Sequence, residues 1–410
     1  DDAVITMRWS GFDYSDEVKG VYLLNKAGNW EDFREALRNF RSVSQNFIYA
    51  DSEGNIGLNT GGGIPVRKGM GILPRSGETD EYDWKGYVPF ELLPASYNPP
   101  DGFVSSANQR TVCSEYPYYI TGGFAMPYRI MRIREMAGEK PVLGIEDFKR
   151  MVTDNHSAYA AMLTPVILKA AGSISDPDED EKQAVKALTE WDYSMDASLV
   201  APTLFEFIRG ELARNIMGDE LAGLYGSSLG RQHDFYIYRM ISEGPDHWVD
   251  NINTPEVENM DGIIALSIRD AVDTLTARYG KYSERWKWGR IHTLTLEHPL
   301  GTVKVLDKLL RLNSKTYGVG GSYHTVEPYS FDADFATNHG ASERHIFNTA
   351  DWDKSLTVIP TGTSGIPGSP FYLSQTDKYI NNEFYSEPFS EGAVEAAKKH
   401  EMIFKPKAGK

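Results

Sequence analysis

Asn46-Phe47-Ile48-Tyr49-Ala50-Asp51-Ser52-Glu53-Gly54-Asn55-Ile56-Gly57 predicts a β-hairpin, because two β-rich runs flank a turn tetrad ending in glycine. Just upstream, Asn29-Trp30-Glu31-Asp32 opens a helix whose early acids face the positive end of its dipole. Phe33, Ala36, Leu37 and Phe40 then make an i, i+3, i+4, i+7 apolar stripe. Further upstream, Asp1–Trp9 reads as a strand already under way, which suggests that the true start lies earlier. Downstream, residues 61–100 are rich in Gly, Pro and Tyr and read as irregular surface segments. A short strand is expected over Phe103–Ser106.

From about Met126 to Gly280 the pattern is helical. Thr203, spaced to Glu206 as in a capping box, is expected to start a helix that turns Leu204, Phe207, Ile208 and Leu212 inward. Another helix carries Ile264, Ile268, Ala271, Val272 and Leu275. Strands return at Arg290–Leu296, Arg344–Asn348 and Ser355–Ile359, and a short helix over Ala393–His400 closes the chain. With no internal repeat, this is an α+β chain in which a helical block separates two strand-rich segments.

Composition narrows the function. The 410 residues are 41% hydrophobic and 24% charged, as in an ordinary soluble globular chain with room for a large core. A net charge of −16 argues against binding a phosphate backbone, which requires clustered Lys and Arg. Cys113 is the single cysteine, so an internal disulfide and a cysteine-based zinc site are both excluded. No apolar stretch approaches the length of a membrane span.

Four groups of residues invite a chemical reading. The acidic run Asp176–Glu181 alternates like a calcium loop, yet it lacks the turn glycine and the distal bidentate Glu and sits where acids favour a helix start. Gly226-Ser227-Ser228-Leu229-Gly230 fits the G-x-S-x-G nucleophile elbow, but what precedes it resembles a helix end rather than a strand. His292/His298 and His339/His345 are each six apart, which on a strand means roughly 20 Å, too far for one metal. Ser105-Ser106-Ala107-Asn108-Gln109-Arg110 follows the expected strand, and Arg129 opens a helix. An Asn amide at a strand end can donate to a developing oxyanion, and a neighbouring Arg can orient polar groups. Asn and Arg in loops also commonly cap turns.

Tyr49-Ala50-Asp51-x-x-Gly54-Asn55-Ile56-Gly57 resembles the hairpin motif of the penicillin acylase family. The surrounding order is also similar to that family. Asn29-Trp30 precedes the hairpin. Tyr82-x-Trp84-x-Gly86-Tyr87-x-Pro89-Phe90-Glu91, Asn98-Pro99, Ala107-Asn108, Tyr116-Pro117 and Arg129 follow it. Trp286-x-Trp288-Gly289 with His292, His298-Pro299-Leu300-Gly301 and Gly362–Pro370 continue the likeness almost to the C-terminus.

The resemblance implies an N-terminal nucleophile hydrolase with an αββα core, to which residues 1–125 and 286–410 would contribute and into which the block 126–285 is inserted. In that family a precursor cleaves itself and exposes a Ser whose own α-amine, titrating near about pH 8, acts as base. No cofactor is needed for the chemistry. By the same resemblance Asn108 is the oxyanion donor and Arg129 its support, while Val21 and Gln45 fall at positions that line the acyl pocket. Val21 is small for stacking an aryl group, which leaves aliphatic acyl groups open. Residue 1 is Asp, so the nucleophile is expected upstream, with an α subunit and the nucleophile-bearing β segment as partners. A structural calcium ion is common in relatives, but the local counterpart near Ile120 and Thr121 is not acidic. Periplasmic or secreted localisation is likewise only implied. The rival readings are an α/β-hydrolase using Ser228 and a non-catalytic binding protein of acylase fold.

Overall fold

The computed structural model describes residues 4–225, 234–244 and 247–406. Two compact units divide the chain, Asp1–Ile130 and Met131–Lys410.

In the first unit, helices α1 (Glu17–Leu24) and α2 (Trp30–Leu37) pack together ahead of a three-stranded antiparallel sheet. Its order is β1 (Gln45–Ala50), β2 (Ile56–Gly61), β3 (Ala95–Tyr97). The hairpin motif builds its own turn. The Asp51 carboxylate accepts the Asn55 side-chain amide and the backbone N–H groups of Glu53 and Asn55, and these bonds, the Asn55 amide first, hold its pKa down to about 2. Gly54 supplies the positive φ, +88°, that the turn requires. Gly57 has a different reason: a Cβ there would lie 2.4 Å from the Trp30 ring, which stacks on Tyr97 with centroids 4.9 Å apart. Asn29 caps α2 by accepting from the Asp32 N–H, and Trp30, Phe33 and Leu37 form the buried cluster beneath the sheet.

Two expected strands of this unit do not form. Residues 4–9 lie in no sheet, and Val4, Ile5 and Met7 are largely exposed, because no partner strand among the described residues satisfies their backbone. Phe103–Ser106 makes no ladder either. The third strand comes instead from the stretch expected to be irregular. It pairs Gly57 with Tyr97 and is secured by Asn98, whose side-chain oxygen accepts the Ile56 N–H at 2.9 Å.

In the second unit, α3 (Tyr128–Gly138, begun in the first), α4 (Ile145–Val152), α5 (Ala158–Ala171), α6 (Glu179–Thr189), α7 (Ala201–Tyr225), α8 (Asp234–Glu243) and α9 (Met260–Tyr279) succeed one another. The packing of α9 against α7 and α5 buries the expected Ile264, Ile268, Ala271, Val272 and Leu275 stripe and the inward face of α7. Thr203 does not cap α7. Pro202, tolerated in a first turn, lets the helix start at Ala201, so the buried Thr203 hydroxyl sits within it without a hydrogen-bond partner among the described residues. The acidic run is a helix start. Asp178 caps α6 and exchanges a reciprocal pair of hydrogen bonds with Glu181, and Glu181 also meets Arg269. The Gly226–Gly230 elbow, Ser228 included, lies outside the described residues.

The expected strand Arg290–Leu296 is instead a helical turn, α10 (Trp288–Ile291), and a two-residue strand, β4 (Thr293–Leu294), paired with β5 (Tyr317–Gly318). Backbone bonds from Trp288 and Gly289 to the Leu199 and Ala197 carbonyls pull that segment out of an extended path. Strands β6 (Tyr329–Phe331) and β7 (Thr337–Gly340) form a second pair, while β8 (Arg344–Ile346), β9 (Leu356–Val358) and β10 (Tyr385–Ser386) form a three-stranded sheet. The last helix is Glu391–Ala397, capped by Ser390.

His292 is fully buried between the Val319 carbonyl, 3.1 Å from Nδ1, and the Thr337 hydroxyl, 3.2 Å from Nε2. Burial lowers its pKa to about 4. Protonation is thus resisted in the folded protein but not in the unfolded chain, whose imidazole titrates near about 6.5. Stability contributed by this group is present above about pH 6.5 and lost as the pH falls toward 4, on the order of 3 kcal/mol in all. Thermal melts from pH 7 to pH 4.5 are expected to show a falling midpoint. His292→Asn, less stable at pH 7, should show a shallower fall, and an unchanged slope would refute the assignment.

Candidate active site

The first unit carries a polar cleft of about 660 Å³. Gln45 and Asn46 at the start of β1, Thr60 in β2, Arg67 beyond it, Ser106, Asn108 and Gln109 in the next loop, and Thr121 all line it. The hairpin is tied to that loop by side chains. Thr60, cross-strand partner of Asn46, donates to the Asn46 amide oxygen at 2.7 Å, and the Asn46 amide nitrogen donates to the Ser106 hydroxyl at 2.9 Å.

Asn108 sits at the tip of the loop with φ +63°, a left-handed conformation that asparagine tolerates better than most residues. Its backbone is held from both sides. Ala107 is buried and gives its N–H to the Gln109 side chain at 2.7 Å, and the Asn108 carbonyl accepts the Ala125 N–H at 2.8 Å. Its side chain is held by Arg129, in the first turn of α3 between the buried Tyr128 and Ile130. The Arg129 Nη2 donates to Asn108 Oδ1 at 2.9 Å.

That one bond sets the chemistry. A guanidinium can only donate, so the amide atom facing Arg129 must be the oxygen, and the Nδ2 hydrogens are left to point elsewhere. The result is an oriented, solvent-accessible amide donor at the edge of a cleft, with a cation behind its oxygen to polarise it.

Of the residues singled out from sequence, the structure brings Gln45 and Asn108 into one cleft and links Arg129 to Asn108. Val21 is not brought there. It lies on α1, is 50% exposed, and is absent from the cleft lining. Ile120 and Thr121 do line the cleft but offer no carboxylate for calcium. Among the described residues no cluster of three or more His, Cys, Asp or Glu is placed to hold a metal. Sequence reasoning missed Arg67, which lies beside Lys68 in a Gly- and Pro-rich segment with no motif to single it out, and the Asn46–Ser106 link, which joins residues sixty apart.

The second unit holds a smaller cavity, about 250 Å³, lined by Glu206, Arg209, Asp234 and His324 among others. These charges answer one another. Asp234 accepts from Arg209 at 3.0 Å, from His324 at 2.9 Å and from Tyr159 at 3.0 Å, and Arg209 also meets Glu206 at 2.8 Å. Burial would raise the Asp234 pKa, but Arg209 and His324 outweigh it and hold the carboxylate well below the usual range. This mutually compensated network is read as structural.

Comparison with known proteins follows the same line. A profile described as penicillin amidase matches residues 1–396. The acyl-homoserine lactone acylase QuiP of Pseudomonas aeruginosa is 27% identical over 91% of this chain and 47% of its own length. Penicillin acylase 2 proenzyme of Pseudomonas sp. strain SE83 is also 27% identical, over 83% of this chain and 43% of its length. The chain thus spans about half the length of the curated relatives it matches. A solved thermostable penicillin G acylase from Alcaligenes faecalis superposes with a TM-score of 0.63, at 16% identity, over 96% of this chain and 74% of that one. That likeness establishes the fold, an α+β architecture shared with the penicillin G acylase. Among the described residues no helix is long and apolar enough to cross a membrane.

Proposed function

This chain belongs to the penicillin amidase family, and on that premise we propose that it is the oxyanion-stabilising part of an amide hydrolase acting through an acyl-enzyme. Asn108 Nδ2 donates to the tetrahedral oxyanion, and Arg129 holds the amide in that orientation. The nucleophile of this proposal is an N-terminal Ser on a segment of the protein outside these 410 residues, exposed by self-cleavage of a precursor. Its α-amine is the base, and the α subunit and the nucleophile-bearing segment are the partners. The family supports this reading, as does a match that covers only about half the length of the relatives. The substrate is a small acylated amide. A periplasmic or secreted location belongs to the same proposal and rests on the family alone.

The observation that carries the reading is the Arg129–Asn108 bond, which leaves an amide donor aimed away from its own protein partner. The test is covalent labelling of the complete protein with a sulfonyl fluoride, followed by peptide mapping and N-terminal sequencing of every chain. The expected adduct lies on an N-terminal Ser outside this sequence. An adduct on Ser228 would establish the elbow reading instead, and absence of any chain beginning with Ser, Thr or Cys would favour a binding protein.

A further inference from the structure

The described lining of the Asn108 cleft contains no Asp and no Glu, and its single charged residue is Arg67. In a chain of net charge −16 this is an unusual local balance. Arg67 is half-buried and its Nε is shut off from solvent; among the described residues Nε has no hydrogen-bond partner and no carboxylate pairs with the side chain. An Arg in that position ordinarily finds an acid, because a desolvated guanidinium donor left unmatched is costly.

Nor is the side chain loosely placed. Its guanidinium carbon lies 5.8 Å from the centroid of the Tyr119 ring. The loop then turns back through Gly71, at φ +64°, where a Cβ would come within 2.9 Å of Arg67 Cδ. The backbone therefore closes on the arginine stem, and a larger residue at 71 would displace it. A positioned, acid-free cation beside a hydrogen-bonding wall of Gln45, Asn46, Thr60 and Thr121 is what recognition of an anion requires.

We infer that Arg67 is the anion-recognising group of this cleft and that the amide substrate carries a carboxylate. This rests on the reading that an amide substrate occupies the Asn108 cleft. A carboxylate could belong to the amine product, as in an N-acyl amino acid, or to the acyl part, as in a dicarboxylic half-amide. Both present the same two oxygens to the guanidinium fork. The carboxylate takes no part in bond breaking, so Arg67 acts on binding and orientation.

The test uses the complete protein, wild type and Arg67→Met, with two matched pairs: an N-acyl amino acid against its carboxamide, and a glutaryl-type half-amide against the plain acyl amide. For one pair, Arg67→Met is expected to raise KM for the carboxylate substrate by about 10–100-fold, with kcat and the neutral partner changed less than about threefold. The pair that responds identifies which side of the amide bears the anion. Arg67→Lys, which keeps charge but loses the fork, should recover part of the loss. Equal losses on charged and neutral substrates would overturn the inference, as they would if a carboxylate from another segment of the protein were the partner of Arg67. So would no loss on either carboxylate substrate. Asn108→Ala run in parallel separates the two levels. If it retains full activity, the cleft reading fails. If it is inactive while Arg67→Met does not discriminate, only the role of Arg67 falls.

Discussion

Asn108→Ala in the complete protein is expected to lower kcat by about 10²–10³-fold while KM changes little. The reason is geometric. Arg129 occupies the oxygen of the amide, so the Nδ2 hydrogens are the donors its side chain offers to a reacting carbonyl. An oxyanion forms only as the tetrahedral intermediate develops, so the lost bond stabilises the transition state and not the ground state. The loss corresponds to about 3–4 kcal/mol of transition-state stabilisation. Asn108→Asp should be at least as damaging, because an ionised carboxylate offers acceptors only and places negative charge beside the developing oxyanion. Steady-state kinetics and a melting curve decide the matter. A variant that folds and keeps kcat within about threefold would remove Asn108 from the chemistry.

Arg129→Met should lower kcat by about 10–100-fold, less than loss of the donor itself, since the amide remains but its orientation does not. Without the guanidinium the amide rotates and can present its oxygen to the oxyanion, a repulsive arrangement. The double variant is the informative measurement. If Arg129 works through Asn108, adding Arg129→Met to Asn108→Ala should cost no more than about threefold further, so the two effects are far from additive. Full additivity would show that Arg129 acts independently, on the substrate or on the fold. Arg129→Lys should recover part of the activity, because a single ammonium can still donate to Oδ1.

Much of the local architecture was legible from residue order. The hairpin at residues 45–61, the Asn29 cap and the α9 stripe formed as expected, because each is built by neighbours in sequence: an Asp51-centred turn, a side chain three residues from its N–H, a 3.6-residue apolar period. Expectation failed where the partner was distant. Residues 4–9 and Phe103–Ser106 carry strand-forming residues but find no ladder among the described residues, while Ala95–Tyr97, in a Gly- and Pro-rich stretch, becomes a strand because Gly57 and Asn98 receive it. Thr203 failed for a subtler reason, since Pro202 moved the helix start two residues forward.

The sequence by itself determined the turn chemistry, the helix caps, the apolar faces and the family motifs, because these depend on spacings of a few residues and on side-chain type. Tertiary structure alone decided that Asn108 presents its nitrogen rather than its oxygen, that Gln45 shares its cleft while Val21 does not, and that Arg67 stands there without an acid among the described residues. Each of these depends on a partner twenty or more residues away, or on the absence of one. Distance along the chain carries no information about such meetings until backbone hydrogen bonds and the buried cluster around Trp30 have folded the loops back on the hairpin.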